Sequence, residues 1–141
     1  MNNKNNNNIK KTLFKDIYGE QKGVLELNLS NFIYNKDNKK LYINHDYFID
    51  KKGLIIFYTP WCKHCKKISS LIINLALSNI NLFYFGAVNT ENLKDGNDYL
   101  AVYANVTKFP TIKIIDSDGS LIDYKYQYTP DNLLYYINTN I

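Results

Sequence analysis

The only two cysteines of this chain stand three residues apart in Trp61-Cys62-Lys63-His64-Cys65-Lys66, directly after an apolar run and at the opening of a helical pattern. Two thiols so placed can close a small, reversible disulfide. The preceding run, Gly53-Leu54-Ile55-Ile56-Phe57-Tyr58, is continuous, β-branched and aromatic, which predicts a buried parallel strand ending at Thr59-Pro60. From Cys65 onward, Ile68, Leu71, Ile72, Leu75 and Ala76 recur at helical spacing, with Lys63, Lys66, Lys67 and Asn74 on the polar side. Cys62 therefore opens a helix. Unpaired backbone N–H groups and the positive end of the helix dipole favour thiolate over thiol there. The nearby lysines and His64 act in the same sense. Cys65, one turn further in, is expected to be shielded, so Cys62 is the exposed nucleophile and Cys65 the resolving thiol.

Far down the chain, Lys108-Phe109-Pro110-Thr111-Ile112 leads into an apolar strand, Ile112-Lys113-Ile114-Ile115. This element and the run Phe57-Tyr58-Thr59-Pro60-Trp61-Cys62-Lys63-His64-Cys65-Lys66-Lys67 together resemble the thioredoxin superfamily. The wording is closest to the catalytic domains of protein disulfide isomerases, which carry histidine at the position of His64. The resemblance implies an α/β thioredoxin fold with a central mixed sheet flanked by helices on both faces, spanning 23–141. It implies a cis Pro110 facing the cysteines, with Trp61, Phe109 and Pro110 forming a contact surface for an extended protein substrate. His64 and Lys63 are the expected tuning residues of the Cys62 thiolate. The implied activity is thiol-disulfide exchange on protein disulfides. Lys-His between the cysteines, in place of the Gly-Pro of thioredoxins, leans the pair toward oxidase or isomerase character. Little turnover, with the fold kept as a protein-binding module, is the alternative.

Three positions depart from the family pattern. The buried acidic residue expected six positions before the first cysteine is Ile56, the helix proline expected after the second is Ser70, and a glycine expected near the final connection is Tyr126. Loss of the carboxylate removes the group that relays the proton of the resolving thiol. Tyr126 is expected to crowd the substrate groove, and Ser70 to leave the helix straighter.

A C-x-x-C pair is also half of a zinc site, which His64 and His45 would have to complete; structural zinc takes four ligands and usually a second paired motif, which this chain lacks, so no metal is expected. His45 reads as a solvated loop residue. No glycine-rich turn for a flavin or nicotinamide follows a strand, so no cofactor is expected. Recharging then falls to a partner reductase or oxidase, or to glutathione. All 17 basic residues are lysine, and the net charge of +4 is spread along the chain. No basic stripe forms, which argues against a nucleic-acid partner. The abundance of Lys, Asn, Ile and Tyr reflects an AT-rich coding sequence of the kind found in some protists and large DNA viruses.

Residues 1–22 begin with an Asn/Lys-rich run and read as a disordered tail. They contain no apolar core of signal-peptide length, and no later run is long enough to cross a membrane. The expected location is the cytosol, or a particle loaded from it, where a disulfide is transient and catalytic. Further expectations are a strand from Val24 to Leu29, a polar turn at Asn35–Lys40, a short edge strand Leu41–Ile43 and a helical turn at Asp46–Ile49. A second buried strand is expected at Asn81–Asn89 and a short helix within Leu93–Ala104. A strand Thr111–Asp116 should turn at Ser117–Ser120 into Leu121–Tyr128. Thr129 and Pro130 mark the start of a final helix, with Leu133, Leu134, Tyr136 and Ile137 turned inward.

Overall fold

The computed structural model of the chain describes residues 12–14 and 23–139. Its strands are β1 (Val24–Leu27), β2 (Phe32–Asn35), β3 (Lys40–Ile43), β4 (Gly53–Tyr58), β5 (Tyr84–Asn89), β6 (Thr111–Ile115) and β7 (Leu121–Asp123). Its α-helices are α1 (Lys63–Ser78), α2 (Asn97–Tyr103) and α3 (Pro130–Thr139). Five strands form one sheet in the order β1-β5-β4-β6-β7. β1, β5 and β4 run parallel, while β6 and β7 are antiparallel to their neighbours. This is a thioredoxin fold.

The central position of β4 explains its composition. All six of its residues are buried, so an apolar residue is needed on both faces and no alternation survives. Leu54, Ile56 and Tyr58 enter a core with α1 and α3 residues such as Ile72, Leu133 and Ile137. Ile55 and Phe57 enter a second core with Leu100 of α2, Phe32, Leu41 and Phe48. Gly53 starts the strand because a Cβ there would collide with the Tyr84 carbonyl of the paired strand.

Several boundaries move from their expected places for local reasons. β1 stops at Leu27 because Asn28 caps a 3₁₀ turn, its side chain accepting from Ser30 N–H while Asn31 reaches back to the Asn28 N–H. The β2 strand was not anticipated; it pairs with β3 as a separate antiparallel hairpin across the polar 36–39 turn. Asn81 takes a left-handed φ of 68°, which delays β5 to Tyr84. Gly96, with φ of 77°, holds the left-handed position ahead of α2 and restricts that helix to Asn97–Tyr103. β7 ends at Asp123, short of Tyr128, where Tyr124 turns into the core and donates its hydroxyl to the Gln127 carbonyl. α3 begins as expected: Thr129 Oγ1 accepts from Asn132 N–H.

Of the tail expected over 1–22, residues 1–11 and 15–22 lie outside the described residues. Phe14 is buried and packs edge-on against Tyr58 at 5.3 Å. Among the described residues no helix is long and apolar enough to cross a membrane.

Candidate functional site

β4 delivers the chain from the middle of the sheet into the Thr59-Pro60-Trp61 loop, and α1 starts immediately after it. Cys62 is the N-cap of α1: its backbone is extended, and its sulfur accepts from Cys65 N–H at 3.3 Å. Such a cap is ordinarily an oxygen, and a sulfur in that place gains from negative charge. Cys62 is half-buried, Cys65 fully buried, and both are thiols.

The two sulfurs differ in acidity for reasons visible in their surroundings. Burial pushes the Cys62 thiol up, yet it is outweighed by the Cys65 side chain, by the backbones of Cys65 and His64, and by the influence of the Thr59 side chain, which leave the thiol below its ordinary value. Burial pushes Cys65 up to about 12, assisted by its bond to Cys62 and by Cys62 charge. One sulfur is readily ionised and reachable. The other holds its proton.

Across the loop, the Phe109–Pro110 peptide is cis, and the Phe109 carbonyl lies 3.9 Å from the Cys62 sulfur. An open groove of about 420 Å³ runs beside them, lined by His64, Lys67, Ile68, Leu71, Pro110 and Tyr128. The Tyr128 hydroxyl accepts from Ile112 N–H at 3.2 Å and donates to the Pro110 carbonyl at 3.3 Å, so it braces the proline segment. Trp61 is 67% exposed, with its indole N–H held by Glu91 at 2.9 Å. An aromatic face is thereby fixed at the rim. Lys63 and His64 are exposed on the first turn of α1, and Phe109 and Pro110 are half-buried.

Ile56 is fully buried, between Ala87 of β5 and Ile112 of β6 in register, and all three residues are solvent-free. The family's carboxylate position is thus an apolar row. A carboxylate does enter from β1, two strands away in the sheet: the Tyr58 hydroxyl donates to Glu26 Oε2 at 2.6 Å and accepts from Leu13 N–H. Burial first, then Glu26, holds that tyrosine far above the ordinary phenol value. Tyr126, expected at the groove, instead packs against Tyr136, the rings tilted by 32° with centroids 4.5 Å apart, and Tyr128 takes the place beside Pro110. Ser70 is exposed on a helix that runs without a break from Lys63 to Ser78. His45 caps a 3₁₀ turn, its Nδ1 accepting from Tyr47 N–H. Among the described residues, no three His, Cys, Asp or Glu side chains come together as a metal-ligand set.

Tyr128, Glu91 and Glu26 were not legible as site residues. Tyr128 fell in a span read as strand, and Glu91 and Glu26 reach their partners only through the sheet order.

A C-x-x-C at the N-terminus of the long helix α1, facing a cis-proline loop on a five-stranded mixed sheet, defines a thioredoxin-type domain. The thioredoxin family model matches residues 33–139. The chain belongs to the thioredoxin family. It is 30% identical over 102 residues to protein disulfide-isomerase 1 of Dictyostelium discoideum, covering 69% of this chain and 28% of that protein. It is 31% identical over 131 residues to a protein disulfide-isomerase of Datisca glomerata, covering 88% of this chain and 24% of that one. The chain thus spans about a quarter of the length of these relatives. Among solved structures, it superposes on the first thioredoxin domain of mouse protein disulfide-isomerase A4 with a TM-score of 0.61 and 25% identity, covering 84% of this chain and 76% of that one. The oxidised mitochondrial thioredoxin 3 of Saccharomyces cerevisiae shares the fold, with a TM-score of 0.55 and 22% identity over 82% of this chain and 93% of that one.

Proposed function

We propose that this chain is a thiol-disulfide oxidoreductase acting on protein substrates through Cys62 and Cys65, with an oxidase or isomerase poise. The observation that carries the reading is the asymmetry of the pair: a half-buried, acidified Cys62 beside an open groove, and a fully buried Cys65 whose thiol is pushed up to about 12.

In the reducing direction, the Cys62 thiolate attacks one sulfur of a substrate disulfide and expels the other as thiolate. Cys65 then gives up its proton and attacks the Cys62 sulfur, releasing the second substrate thiolate and closing the Cys62–Cys65 disulfide. Two electrons pass from the pair to the substrate, and the thiol protons end on the departing sulfurs. Oxidation of a substrate dithiol is the same sequence reversed. Groups that favour the Cys62 thiolate stabilise the dithiol form, so they make the disulfide the stronger oxidant. His64 and Lys63 at the start of α1 are tuning residues in this reading. Trp61, Phe109 and Pro110 receive the substrate chain. A partner enzyme or glutathione resets the pair, and the cytosol is the proposed location.

The apolar row at Ile56 favours a second reading, a binding module with little turnover. A Cys65→Ser variant separates the two. An enzyme accumulates mixed disulfides through Cys62, which reductant releases; a binder captures the same partners with both cysteines replaced.

A further inference from the structure

Thr59 follows the last residue of β4 and is only 2% exposed. Its carbonyl accepts from Cys62 N–H at 3.3 Å, which ties it to the first cysteine through the Pro60-Trp61 turn. Its hydroxyl is a different matter: Oγ1 is buried and has no hydrogen-bond partner. Among the described residues it is the one buried side-chain oxygen or nitrogen so left. A buried hydroxyl without a partner costs stability, and valine would fill the same volume without that cost. Thr59 acts on Cys62 through its side chain and on Cys65 through both its side chain and its backbone, each time favouring the thiolate.

We propose that the Thr59 hydroxyl is a donor kept in reserve for sulfur, which turns to the Cys62 thiolate in the resting dithiol and to the Cys65 thiolate once Cys62 is tied up in a mixed disulfide. The inference rests on the oxidoreductase reading and adds a tuning residue to it. It also supplies a stabilising group for the resolving step, which Ile56 does not. The hydroxyl keeps its own proton throughout. It donates a hydrogen bond, and the proton of Cys65 leaves to solvent or to the departing substrate thiolate. The titratable or charged groups on the elements around the pair are Lys63, His64, Lys66 and Lys67 on α1, Tyr58 with Glu26 in the sheet, Glu91 at Trp61, and Lys108 and Tyr128 by the Phe109–Pro110 segment.

The test compares Thr59→Val, Thr59→Ala and Thr59→Ser with the parent chain. Two quantities are read: the Cys62 pKa, from thiolate absorbance during a pH titration, and the rate at which Cys65 resolves a preformed mixed disulfide between Cys62 and glutathione. Loss of the hydroxyl should weaken Cys62 ionisation by about threefold to tenfold, a pKa rise of about 0.5 to 1. Resolution should slow by a similar factor, and serine should restore both. Urea unfolding guards against a trivial result, since valine is expected to leave stability equal or higher; alanine removes the same hydroxyl if valine distorts the loop. A folded Thr59→Val or Thr59→Ala variant with unchanged Cys62 pKa and unchanged resolution overturns the proposal. Should the parent chain never form a reversible disulfide, the oxidoreductase reading falls. The pKa comparison then still decides whether the hydroxyl serves the sulfur, a rise supporting the contact and no change overturning it.

Discussion

When the reduced protein meets a small amount of iodoacetamide near neutral pH, alkylation should fall on Cys62 and spare Cys65. Only thiolates react, so selectivity begins with the two thiolate fractions. Cys65 is pushed up to about 12 by burial and by its bond to Cys62. Cys62 lies below the ordinary thiol range, which centres near about 8.5. The gap exceeds about three units, so the Cys65 thiolate is scarcer by roughly a thousandfold. Nucleophilicity works against this, because a thiolate of higher pKa is the better nucleophile. With a Brønsted slope of about 0.4–0.5, three units return roughly twentyfold to Cys65. Acidity alone therefore leaves Cys62 ahead by roughly fiftyfold. Full burial of Cys65 widens the margin, since the reagent needs a local opening to reach it. The assay is timed alkylation with acid quench, proteolysis and mass spectrometry of the two sites. Comparable labelling of both cysteines, or Cys65 first, would refute the reasoning.

Other outcomes follow from single contacts. Asn97 is buried and ties three segments together, its Oδ1 accepting from Leu29 N–H and its Nδ2 donating to the Leu27 and Asn89 carbonyls. Asn97→Ala should cost about 2–4 kcal/mol in urea unfolding, and a loss under about 0.5 kcal/mol would mean the bonds do not matter. Asp123 pairs with the buried Lys113 at 2.6 Å, and that bond holds its carboxyl below the ordinary value. A depressed folded pKa contributes stability above the unfolded pKa, near about 3.9, and loses it as pH falls through the folded value. The stability gap between the parent and Asp123→Asn should therefore be flat at neutral pH and close below about pH 4; a gap that widens in acid contradicts the pairing. Replacing Ile56 with Glu should speed resolution of the mixed disulfide while destabilising the fold increasingly as pH rises, because burial in that apolar row disfavours the ionised form. Unchanged single-turnover resolution would show that proton release from Cys65 is served elsewhere.

Features written locally in the chain were legible before the structure. The six apolar residues of β4, the cysteine at the start of α1, the Ser117–Ser120 turn and the Thr129-Pro130 start of α3 each depend on neighbours within a few residues. The cis Phe109–Pro110 bond was legible only through the family resemblance. Features made by distant contacts were not legible. β2 is four residues with one buried side chain, too short to show a period, and it exists because Leu41 and its neighbours in β3 pair with it. Asn97 resembles any polar residue before a helix until β1 and β5 bring carbonyls to it. The carboxylate near the site comes from β1, two strands from β4, so no spacing along the chain points from Glu26 to Tyr58. Tyr126 was placed in the groove by counting from the family pattern, but the early end of β7 turns it onto Tyr136 and brings Tyr128 to Pro110.

Equilibration of the full chain in glutathione buffers of graded potential, followed by acid trapping and mass analysis, tests the redox pair most directly. One reversible two-electron transition confined to Cys62 and Cys65 is expected, with a midpoint near about −180 mV or above. A midpoint near about −270 mV would keep the pair and overturn its oxidising poise. Absence of any reversible Cys62–Cys65 disulfide across the whole range would contradict the account itself.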